Sequence, residues 1–156
     1  MKMYLPFGDW SDDGHGKYEK ILIEAPSMEH LRKAQIEIEK IYGKDFWRGF
    51  AEKYEESTFS EEVQAALIDS DYPIERFAKF QDDCNIDNFD NLGEFFDSDY
   101  WIEDMAFHVN FDLVVDAFIW LLNWKGAEIT RSEEEIPMIC NWTCRGFKTV
   151  GYGCFW

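Results

Sequence analysis

The stretch from Asn110 to Gly126, NFDLVVDAFIWLLNWKG, constrains this chain more than any other. Leu113, Val114, Ala117, Phe118, Leu121 and Leu122 recur at helical spacing. Val115, Ile119, Trp120 and Trp124 extend the apolar surface around most of the circumference. Asp112, Asp116 and Asn123 interrupt it at i, i+4 and i+11, a single narrow stripe on a helix of about 3.6 residues per turn. A helix this apolar is wrapped by its own protein. At ~1.5 Å per residue it is too short to cross a ~30 Å hydrocarbon core. Asn110 is the expected N-cap, and Gly126, following Lys125, the expected stop. The chain is therefore expected to fold around a central helix at 110–125.

The flanks supply the rest of the fold. Met1 to Trp10 alternates loosely, as a short strand interrupted by Pro6 and Gly8, and Tyr18 to Ala25 (YEKILIEA) alternates strictly. The glycine- and aspartate-rich segment Gly8 to Gly16 would join them in a hairpin. Ser27 is placed to cap a helix that reaches Tyr42 and is closed by Gly43, with Leu31, Ala34, Ile38, Ile41 and Tyr42 facing inward. Short helices are expected around Phe46, Trp47, Phe50 and Tyr54, from Ser60 through Leu67, and after Pro73 with Phe77 and Phe80 inward. Ile136 to Trp142 and Phe147 to Trp156 are rich in strand formers. The expected class is α+β: a small antiparallel sheet from the N- and C-terminal segments, packed on several helices around the central one. A length of 156 residues points to one domain, 1–156.

Charge narrows the function classes. With 15 basic and 32 acidic residues, the formal charge is −17. Nucleic acid and anionic membranes would repel such a chain, so direct binding to either is not expected. A basic protein partner, a bound cation or simple solubility fits the sign. The four cysteines include no CxxC pair, and MKMYLPFGDWSDD turns acidic at once instead of building a secretory apolar run. Reduced thiols in the cytoplasm are the expected state, with Cys140, Cys144 and Cys154 as structural thiols and not zinc ligands.

The sharpest break in composition lies between Phe80 and Trp124. This span holds no Lys or Arg, yet it carries Asp82, Asp83, Asp87, Asp90, Glu94, Asp97, Asp99, Glu103, Asp104, Asp112 and Asp116. Phe89, Leu92, Phe95, Phe96, Tyr100, Trp101 and Ile102 are woven through it, which marks a face of the protein and not a linker. Carboxylates on a rigid surface steer and pair with a basic groove, and aromatics anchor interfaces. Glu94, Asp97, Asp99, Glu103 and Asp104 are the candidate partner-binding acids, with Tyr100 and Trp101 as anchors. In general character the span resembles small acidic inhibitors of nucleic-acid-binding enzymes, such as toxin-immunity and phage anti-defence proteins, with no motif in common. The resemblance implies a non-enzymatic nucleic-acid mimic that engages and inhibits a basic macromolecular partner.

Two readings from other classes stand beside it. Asp83, Asn85, Asp87 and Glu94 occupy positions 1, 3, 5 and 12 of an EF-hand-like spacing, a candidate Ca²⁺ loop. Position 6 is Asn88 where that loop wants glycine, and Asp90 stands where it wants an aliphatic residue. The second is the Gly8 to Gly16 loop, which presents Asp9, Trp10, Asp12, Asp13 and His15 together and could bind a ligand or run acid–base chemistry. Turn chemistry alone accounts for both segments. No phosphate-gripping loop, dinucleotide fingerprint, nucleophile elbow or HExxH occurs, so no motif asks for catalysis.

Overall fold

The computed structural model describes residues 2–9, 17–47, 59–81, 84–105, 109 and 111–132. Strands β1 (Lys2–Asp9) and β2 (Lys17–Glu24) form an antiparallel hairpin whose register runs from Lys2 opposite Glu24 to Asp9 opposite Lys17. β3 (Thr130–Arg131) adds a short antiparallel edge to β2, giving the order β1-β2-β3. The expectation that Pro6 and Gly8 interrupt the first strand fails. β1 runs through both, and because it is an edge strand among the described residues, Pro6 can do without an amide donor there. The β-rich segments Ile136–Trp142 and Phe147–Trp156 lie outside the described residues, as do the three cysteines among them.

Helix α1 (Met28–Tyr42) starts where the Ser27 side chain accepts the His30 amide and ends where the Gly43 amide bonds the Glu39 carbonyl. Leu31, Ala34, Gln35 and Ile38 are its buried stripe. Ile41, expected inward, is 54% exposed, while Tyr42 in the same turn packs on Phe46. A 3₁₀ turn follows, in which Phe46 and Trp47 are buried and the Trp47 ring meets Phe118 edge-on at 5.2 Å. The remainder of the expected short helix, with Phe50 and Tyr54, falls outside the described residues.

Helix α2 (Glu61–Asp69) is capped by the Ser60 hydroxyl, which accepts the Val63 amide. Pro73 precedes helix α3 (Glu75–Phe80), which buries Phe77 and leaves Phe80 only partly covered. Helix α4 (Leu92–Phe96) is capped by Asn91, and a π-helical turn (Tyr100–Met105) follows. Helix α5 (Phe111–Trp124) is the central helix that its apolar surface implies. Leu113, Val114, Val115, Ala117, Phe118, Leu121 and Leu122 are at most 2% exposed, each large side chain contributing about 1.5–3 kcal/mol of burial. α1, α2 and α3 pack against it. The structure is α+β, as expected, and none of its described helices is long and apolar enough to cross a membrane.

The polar stripe of α5 is hydrogen-bonded along its length, although Asp112 and Asn123 are exposed. Asp116 takes two bonds from the Arg76 guanidinium at 2.9 Å and one from the Tyr72 hydroxyl at 2.6 Å. Asp112 pairs with Arg131 at 3.3 Å, and Asn123 bonds both the amide and the carbonyl of Ile129. Each residue of the stripe ties α5 to another part of the fold.

Candidate functional site

The base-free span folds as α4, the π-helical turn and the loop leading into them. Its aromatics turn inward. Trp101 is 2% exposed, stacked on Phe59 with ring centroids 6.0 Å apart and in edge contact with Phe96 at 4.8 Å. Phe77 and Phe95 close the same cluster at 4.9 Å. Trp101 is therefore a core residue and not a surface anchor. Its covering partners, Phe59 and Phe77, come from segments remote in the chain. Tyr100 is partly covered, its ring against Phe89 and Phe95 and its hydroxyl accepting the Asn85 amide at 2.9 Å. Ile102, on the same turn, is an exposed apolar residue, at 54%.

Two of the carboxylates are matched by bases: Asp116 by Arg76 in a half-buried pair, and Asp112 by Arg131 in an exposed one. Glu94, Asp97, Asp99 and Glu103 are exposed, and among the described residues none of them has an ion-pair partner. Asp104 lies on the π-helical turn, its side chain outside the described set. The acidic face that the composition implies is thus narrower than the base-free span. It covers α4 and the turn after it, and does not continue onto α5.

The candidate calcium loop uses its oxygens locally. Asn85 Oδ1 accepts the Asp87 amide at 3.0 Å, and Glu94 Oε2 accepts the Asp90 amide at 3.0 Å while the Glu94 amide is held by Asn91 Oδ1 at 2.8 Å. These are turn and helix-capping bonds. Asp83 lies outside the described residues. Among those described, no three acidic, histidine or cysteine side chains are grouped to hold a metal.

Of the hairpin-loop residues, Asp9 ends β1, and Trp10, Asp12, Asp13 and His15 fall outside the described set. The register brings the two ends of that loop together at Asp9 and Lys17. Cys84 is buried, and burial pushes its thiol up, with a hydrogen bond to Tyr100 acting the other way. That is the reverse of what activates a cysteine nucleophile.

No family model, curated protein or solved structure matches this chain. Function has to be read from the residues themselves.

One feature escaped the sequence. Leu67, Ile68, Tyr72, Ile74 and Leu92 line an open cleft of about 360 Å³ between the α2–α3 connection and the approach to α4. Its only hint in the sequence is Ile68, an apolar residue one place beyond the expected end of α2. It is 42% exposed.

Proposed function

We propose that this protein is a non-enzymatic acidic binding protein that engages a basic surface of a macromolecular partner and inhibits it by occupying that surface. The observation carrying this reading is the run Glu94, Asp97, Asp99 and Glu103. These are four exposed carboxylates, without an ion pair among the described residues, on one stretch of chain that also carries the exposed Ile102. Such a field raises the rate of encounter with a basic surface, and an apolar contact beside it supplies affinity. Ile102 takes the anchoring part that Trp101, held in the core, cannot.

The test begins with tagged protein incubated in lysate, a salt gradient, and identification of what the gradient releases. Association kinetics are then measured between the purified partner and the variant Asp97→Lys, Asp99→Lys, Glu103→Lys. The expected result at low salt is an association rate lower by about tenfold or more, with a melting temperature close to that of the parent. An unchanged association rate in a folded variant would sink the proposal.

A further inference from the structure

The cleft between the α2–α3 connection and α4 has an apolar floor and an acidic rim. Leu67, Tyr72 and Leu92 are buried in its floor, and Ile68 is exposed there. Its carboxylates are Asp71 and Glu75 on the α2–α3 side and Asp90 on the α4 side, and among the described residues no Lys, Arg or His lines it. Arg76, beside Glu75 in the chain, is committed to Asp116. The volume, about 360 Å³, lies within the ~300–1,000 Å³ of small-ligand pockets.

Asp71 has a place that sequence preference would give to glycine. At the end of α2, the Tyr72 amide bonds the Leu67 carbonyl and the Asp71 amide bonds the Ile68 carbonyl, a Schellman motif with Asp71 at φ +56°. The left-handed conformation favours glycine. The chain instead sets a carboxylate there, on the rim of the cleft.

The three rim carboxylates do not group around a single ion. An apolar floor beneath dispersed negative charge fits an elongated cation with a hydrocarbon stem, which is what an arginine or lysine side chain is. We infer that this cleft receives an arginine or lysine side chain, with its apolar neighbour, from the macromolecular partner of the reading above. The inference rests on that reading and adds a second contact, distinct from the Glu94–Glu103 face.

The probe is a blocked leucine–arginine–leucine peptide titrated into ¹⁵N-labelled protein, beside the same peptide with glutamine for arginine. The expected result is that amide shifts concentrate at Ile68, Asp71, Leu92 and Gly93, and that the glutamine peptide binds at least about fivefold more weakly. Asp71→Gly should melt higher than the parent, because it relieves the left-handed backbone, yet bind the arginine peptide more weakly. Asp90→Asn should weaken binding at unchanged stability. Equal binding of the two peptides, shifts spread over Asp97 to Glu103, or no shifts at millimolar peptide would each overturn the inference. The Asp97, Asp99, Glu103 reversal should leave the cleft shifts in place. If the cleft titration fails while that variant still slows association with the partner, the cleft is wrong and the acidic-face reading stands.

Discussion

Asp116 is the residue whose removal tells most about how this fold holds together. It sits on an otherwise apolar helix and is 19% exposed, while Arg76 is 34% exposed. It takes the Arg76 guanidinium and the Tyr72 hydroxyl together, and the same guanidinium lies 4.9 Å from the centre of the Trp120 ring. Asp116→Ala leaves both donors without their acceptor. Because Arg76 can reach water, the loss should be about 2 kcal/mol and not the ~3–5 of a fully buried pair, read from urea unfolding. An effect within about 0.5 kcal/mol would mean that water replaces the carboxylate without loss. Tyr72 carries a pH signature of the same contact. Burial first, and then the charge of Asp116, raises its phenol above the ordinary value of 10.0. The folded state therefore keeps this proton where the unfolded chain releases it. The stability involved is complete below about pH 10 and falls as pH climbs beyond it. Tyr72→Phe should lower stability near neutrality by about 1 kcal/mol and flatten the alkaline decline. A slope identical to the parent's would remove Tyr72 from that account.

At the scale of elements, the helix ends were the most legible part of the chain, because caps are made within a few residues of sequence. Ser27, Ser60 and Gly126 act where composition places them. At the end of α5 the Ala127 amide bonds the Leu122 carbonyl and the Gly126 amide bonds that of Asn123, with Gly126 at φ +88°. A Cβ on Gly126 would meet nothing within 4 Å, so the penalty of Gly126→Ala is one of backbone conformation alone. It should destabilise by about 1 kcal/mol without altering the circular dichroism of the native state. A neutral substitution would show that the turn can relax. What depends on remote neighbours was not legible. The burial of Trp101 depends on Phe59 and Phe77, which lie far from it in the chain. The bases that claim Asp112 and Asp116 stand 19 and 40 residues away in the chain, so the narrow stripe did not show its partners. The cleft is likewise a product of two segments meeting, with only Ile68 to hint at it.

The molecule as a whole carries −17, and of its described bases Arg76 and Arg131 are occupied with carboxylates of α5. Net repulsion among the remaining carboxylates opposes compaction and is screened over a Debye length of about 10 Å at 0.1 M salt. The melting temperature should therefore rise between about 0.01 M and 0.15 M sodium chloride, with chloride and sulfate agreeing at equal ionic strength. A fall would show that the paired carboxylates outweigh the unpaired ones. Charge made the acidic span visible from composition, but its extent needed the fold, since two of its acids turned out to face bases. The tethers on α5 also settle a question that apolar packing leaves open. A cylinder greasy on nearly every side has almost no preferred rotational setting, since many angles bury similar area. Asp112, Asp116 and Asn123 project within about 40° of one another along its length. At the observed angle all three meet partners at once: Arg131, the Arg76–Tyr72 pair and the Ile129 backbone. With α1, α2 and α3 all resting on this helix, a single keyed angle orients everything around it.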